Sequence, residues 1–97
     1  MNIKILDCTL RDGGYVNNWE FSKSQISKIV SALEKSNIDI IELGYLDDKK
    51  GCSINSTLFD SVVSMDKALG DLAPAVQKVV MIDLFGFNID KLPLQSD

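Results

Sequence analysis

The stretch Asn2-Ile3-Lys4-Ile5-Leu6-Asp7-Cys8-Thr9-Leu10-Arg11-Asp12-Gly13-Gly14 decides the fold. Its first half, 2–7, is a short run rich in Ile and Leu, the composition of a buried strand. The segment that follows, 8–21, is polar, carries two consecutive glycines and reads as a long loop. Beyond it the periodicity changes from two to 3.6. Ser22 is placed to cap a helix, with Gln25 three positions on to close a capping box. Ile26, Ile29, Val30 and Leu33 then fall on one helical face, and the helix is expected to end near Ser36 or Asn37.

The alternation is repeated downstream. Residues 38–43 read as a second strand, Gly44 as the start of another loop, and the charges of 47–51 as a solvated turn. Ser56 is expected to cap a second helix whose stripe is Leu58, Phe59, Val62, Val63, Met65 and Leu69, ending at Gly70 or near Pro74. Residues 79–84 make a third strand. The tail, with Gly86, Pro93 and the polar Gln95, Ser96 and Asp97, reads as a loop leading onward. The order is β-α-β-α-β, an α/β pattern with a parallel sheet in a single domain, 1–97. Each β-α unit takes roughly 35–40 residues, against about 30 in an eight-fold barrel of typical size. The pattern fits about the first three strands and two helices of a partial TIM (β/α) barrel, and equally a small doubly wound sheet.

Composition excludes several functions. The chain has 97 residues, is 45% hydrophobic, and carries a net charge of −4 with its lysines scattered among acids, which argues against nucleic-acid binding. No apolar run approaches the ~18–20 residues of a membrane span, and the start lacks a signal-peptide pattern, so a cytoplasmic location is expected. Cys8 and Cys52 are expected to be reduced thiols, Cys8 as a small buried filler. With no histidine in the chain, neither a zinc site nor a His-dependent triad can be built from it alone.

Within each strand, alternation gives a common theme. Ile3, Ile5 and Asp7 share one face of the first strand, Ile38, Ile40 and Glu42 one face of the second, and Val79, Met81 and Asp83 one face of the third. Each face turns acidic at the C-terminal end, where parallel α/β folds place their active sites. Carboxylates gathered there suit Mg²⁺ or Mn²⁺. The plainer alternative is that each acid caps its strand by accepting backbone amide hydrogens.

The stretch 7–14 resembles the D-x-T-L-R-D-G signature of the family that contains hydroxymethylglutaryl-CoA lyase, 4-hydroxy-2-oxovalerate aldolase, isopropylmalate and homocitrate synthases, and pyruvate carboxyltransferase domains. Ile41-Glu42-Leu43-Gly44 is similar to that family's second strand. The resemblance implies the N-terminal part of a (β/α)8 barrel that makes or breaks a carbon–carbon bond beside the carbonyl of a 2-oxo acid, through an enolate. It implies that Asp12 is a ligand of a divalent metal, Mg²⁺ or Mn²⁺, and that Arg11 stabilises the enolate oxygen. With strand phase it puts Glu42 in the same crevice. Two positions depart from the pattern. Tyr15 stands where the aldolases commonly carry a histidine, and a phenol with an ordinary pKa of about 10 suits an acid or a substrate contact better than a base. The family's later His-x-His pair is not in this chain.

The expected function is therefore a part of an aldolase, inactive in isolation. Two alternatives stand beside it. One is a non-catalytic self-associating module. The other is a receiver-like phosphoacceptor domain, for which T-L-R-D-G-G is foreign. Three strands leave open edges and an apolar inner face of Ile3, Ile5, Ile38, Ile40, Val79 and Met81, from which a homo-oligomer is expected. Trp19, Phe21 and Tyr15 are expected to pack the first loop onto the rim. Asn17 and Asn18 are expected to bond its backbone.

Overall fold

In the computed structural model, residues 2–47, 55–69, 71–83 and 87–92 are described. They form four strands, β1 (Leu6–Asp7), β2 (Ile40–Leu46), β3 (Leu58–Phe59) and β4 (Gln77–Ile82), with four helices, α1 (Thr9–Asp12), α2 (Gly14–Asn17), α3 (Lys23–Lys35) and α4 (Val62–Leu69). A 3₁₀ turn, Ile89–Lys91, follows. All strand pairings are parallel and all involve β2. β4 runs along β2 from Ile40 to Leu46, so β1 and β3 share its other edge, β1 at the beginning and β3 at the end. The fold is α/β with an open parallel sheet, as expected, and it accommodates a partial β/α barrel.

Helix α3 forms where the periodicity put it. The Ser22 side chain accepts from the Gln25 amide, and the Gln25 side chain accepts from the Ser22 amide, which satisfies two of the donors that a helix start leaves unpaired. Ile26 and Val30 are buried, with Ile29 and Leu33 beside them. They join Leu10, Phe21, Ile41, Leu43, Leu46, Phe59, Leu69 and Phe87 in one core.

Four expectations need correction. The loop 8–21 holds the short helices α1 and α2, because Arg11, Asp12 and Gly13 turn their amides back onto the carbonyls of Cys8 and Thr9. Leu58 and Phe59 are strand, not helix. Their segment completes the edge of β2, with the Tyr45 amide donating to Thr57 O at 2.9 Å and the Asp47 amide to Phe59 O at 2.8 Å. The α4 helix therefore starts later, where Ser61 Oγ accepts from the Ser64 amide. Cys8 is half-buried, not a core filler. Cys52 and most of the expected solvated turn lie outside the described residues, as do Gly70, Gly86 and Pro93. The tail does more than lead onward, since Phe87 is buried and Leu92 packs against the core.

The expected strand phases are also revised. Register pairs Leu6 with Ile40 and Asp7 with Ile41, so Asp7 lies on the opposite side of the sheet from Glu42. Alternation within a strand cannot reveal this, because a one-residue offset between strands exchanges their faces. Leu6, 45% exposed, takes the place expected for Ile5 beside Ile40.

Candidate functional site

Strand β2 contains the feature that builds the site. Glu42 pairs with Val79 and Tyr45 with Met81, three residues of β2 against two of β4. The extra residue is a bulge, and it resets the alternation so that Glu42 and Tyr45 face the same side. Gly44, with φ 151°, sits in it. Reading Gly44 as the end of the strand misses this, and Tyr45 with it. An uninterrupted strand would have turned Tyr45 to the core. The sequence signal was a glycine inside an apolar run, the usual mark of a bulge or of close backbone approach.

The side opposite the core thus presents Ile40, Glu42 and Tyr45 from β2. Arg11 arrives there from α1, its Nε donating to Glu42 Oε1. Glu42 is 6% exposed, so its charge is compensated almost wholly by this guanidinium. The hydrogen bond to Glu42 is the largest influence on Arg11 and holds its pKa above an already high ordinary value, opposed by partial burial. Arg11 Nη1 lies 3.5 Å from Asp12 Oδ1, a loose contact with a carboxylate that is 67% exposed. The guanidinium thereby brings Arg11, Asp12 and Glu42 together. Of the other strand-end acids, Asp7 accepts from the Thr9 amide and hydroxyl at 2.9 and 3.0 Å, the turn-capping alternative. Asp83 follows β4 and is exposed.

Tyr15, from α2, meets Tyr45 hydroxyl to hydroxyl at 2.8 Å. Trp19 closes an aromatic triad, its ring centroid 4.7 Å from Tyr15 and 6.1 Å from Tyr45, with Tyr15 and Tyr45 6.3 Å apart, all edge-on. Trp19 Nε1 donates to Arg11 O at 3.2 Å, fastening the triad to the motif's backbone. Gly14 makes room: a Cβ there would collide with the indole. Asn18 and Trp19 both adopt left-handed φ, 57° and 56°, a local strain that surrounding contacts must offset. Asn17 Nδ2 donates to Glu20 O at 2.8 Å, as expected of this loop. Thr57, fully buried, pins the loop by donating its hydroxyl to Leu10 O at 2.8 Å and its amide to Trp19 O at 3.1 Å.

The hydrogen bond with Tyr15, followed by burial, raises the Tyr45 pKa, and Arg11 counts among the groups pulling it down. The neutral phenol is therefore favoured in the folded state. The associated stability is complete below the ordinary value of about 10 and is lost as pH rises through the raised one. The chain has only two tyrosines. In ultraviolet titration of Tyr15→Phe, the remaining phenol, Tyr45, should ionise at lower pH than the later of two steps in the unaltered chain. An unchanged late step would show that the Tyr15 hydroxyl is not its main restraint.

Among the described residues, no three His, Cys, Asp or Glu side chains converge as a metal site. Asp12 offers one carboxylate, and Glu42 is committed to Arg11. These residues do not by themselves fit Mg²⁺ or Mn²⁺. No helix among them is long and apolar enough to cross a membrane.

Comparison with known proteins bears out the resemblance read from the motif. The chain is 35% identical over 51 residues to 4-hydroxy-2-oxovalerate aldolase of Chloroflexus aggregans, covering 53% of this chain and 15% of that protein. It is 33% identical over 54 residues to 4-hydroxy-2-oxovalerate aldolase 6 of Rhodococcus jostii, 56% of this chain and 15% of the relative. A longer stretch of 82 residues, 84% of this chain and 24% of the relative, is 28% identical to the 4-hydroxy-2-oxovalerate aldolase of Pelotomaculum thermopropionicum. The matched stretches thus span a quarter or less of these relatives. No family model matches the chain, and no solved structure matches it significantly.

Proposed function

We propose that this chain is the N-terminal part of a (β/α) barrel aldolase that cleaves or forms the carbon–carbon bond of a 4-hydroxy-2-oxo acid through an enolate. One observation carries the reading. Arg11 of the T-L-R-D-G motif is held through Nε by the buried Glu42 of β2, on the sheet face opposite the core. Held in that way, the guanidinium keeps its terminal nitrogens as donors in a fixed plane, the geometry that suits a carboxylate or an enolate oxygen.

In cleavage, the 4-hydroxyl gives up its proton to a base and its oxygen forms the C4 carbonyl of the departing aldehyde. The C3–C4 pair becomes the C2–C3 double bond, and the C2 carbonyl π pair moves onto the C2 oxygen as the enolate. Arg11 stabilises the charge developing on that oxygen. Glu42 keeps Arg11 oriented and is not available as a base while paired. Tyr15, 61% exposed at the same rim, is a donor to substrate oxygen. The base and the metal ligands expected of such an enzyme would come from parts of the barrel beyond these residues, and the isolated chain is expected not to turn over. Under this reading the protein is cytoplasmic. Self-association through the face bearing Leu6, Ile40, Val79 and Met81 belongs to the same proposal.

Oxalate, a planar dianion shaped like the enolate of a 2-oxo acid, tests the site. Trp19 is the chain's only tryptophan and bonds to Arg11 O, so its fluorescence reports on the pocket. Saturable quenching is expected in the unaltered chain. Arg11→Lys, which keeps the charge and loses the planar fork, should bind about tenfold more weakly. Equal affinity in both proteins would overturn the reading.

A further inference from the structure

We propose that the Tyr15–Tyr45 hydroxyl pair is a hydrogen-bond-donor unit for the oxygen that Arg11 addresses, with Tyr15 touching the 2-oxo acid and Tyr45 positioning it. The inference rests on the aldolase reading and deepens it.

Several independent features converge on this pair. The bulge at Gly44 turns Tyr45 away from the core and onto the Glu42 side. The two hydroxyls meet at 2.8 Å, although Tyr15 is 61% exposed and water was available to its oxygen. Left-handed backbone at Asn18 and Trp19, with the space left by Gly14, brings the indole against the Tyr15 ring at 4.7 Å. That ring is held in place at a conformational cost, which a side chain serving only as surface cover would not require.

Two phenols in contact have two protons and use one between them. The 2.8 Å contact accommodates either hydroxyl as donor; the proposal assigns that role to Tyr45, the more buried ring, which leaves the Tyr15 proton to point outward. Accepting one hydrogen bond polarises the Tyr15 O–H and makes it a better donor. Arg11, whose guanidinium has no acceptor at all, is a neighbour of Tyr45. The rim formed by Arg11 and Tyr15 therefore offers donors to an oxyanion. No proton need leave Tyr15 for it to act.

The test is a double-mutant cycle on the whole chain, read by oxalate affinity. Tyr45→Phe and Tyr15→Phe both keep their rings, so aromatic packing survives. Each single variant is expected to bind oxalate about tenfold more weakly, the usual worth of one hydrogen bond to a charged group. If Tyr45 acts only through Tyr15, Tyr45→Phe has no further effect in the Tyr15→Phe background, giving strong coupling. A merely structural role for Tyr45 would weaken binding equally in both backgrounds and would overturn the proposal. So would full affinity in Tyr45→Phe while Arg11→Lys still loses affinity, an outcome that leaves the aldolase reading standing. Absence of oxalate binding to the unaltered chain would overturn both.

Discussion

Arg11→Met is expected to destabilise the chain by about 3 kcal/mol, at the lower end of the range for breaking a buried ion pair because the Arg11 side chain is itself 19% exposed. Methionine keeps most of the aliphatic length, so the loss isolates the charge from the packing. Glu42, 6% exposed, would be left as a buried carboxylate with its guanidinium gone, and that uncompensated group is what costs the energy. A domain of this size is commonly stable by about 5–10 kcal/mol, so the melting temperature should fall on the order of 15 °C. Arg11→Met combined with Glu42→Leu should recover much of the difference, since two apolar groups replace two charges. Thermal melts of the three proteins decide the matter. A single variant as stable as the parent would mean that water reaches Glu42 freely and that the pair does not hold Arg11 in place.

How much of this was legible in the sequence depends on the range of the interactions involved. The capping box at Ser22 and Gln25 was readable because it is local and its residues have few other uses. The motif Asp7 to Gly14 and the acid of β2 were readable as a pair of signals, and they led to Arg11 and Glu42. The phase of Asp7 was not, because it depends on how β1 slides against β2, a relation that no single strand encodes. Leu58 and Phe59 looked helical because apolar residues next to each other satisfy either period in a short window. They became strand because Thr57 and Phe59 had carbonyls to offer to the end of β2. Tyr45 was hidden for a related reason. Its side of the sheet was set by a bulge, and a bulge shows in sequence only as a glycine that is easily read as a stop.

That glycine supports the other large expected effect. Gly44→Ala should cost about 3 kcal/mol or more. At φ 151° the backbone lies in a region that residues with a Cβ rarely adopt, which alone carries a penalty on the order of 1–3 kcal/mol. The added methyl would also run into Thr57 O and approach Thr57 Cβ at 2.9 Å. Thr57 has little room to yield, being fully buried and bonded through its hydroxyl, amide and carbonyl to Leu10, Trp19 and Tyr45. Strain should therefore spread to both sides of the site, into the Trp19 loop and along β2 toward Glu42. Chemical denaturation should show a lower midpoint with an unchanged slope if the fold persists. Trp19 fluorescence should shift toward that of a solvated indole. If Gly44→Ala retained parental stability and parental fluorescence, β2 would accept a regular strand at this position. Tyr45 would then be free to rotate to the core face, and the hydroxyl pair with Tyr15 would lose its structural basis.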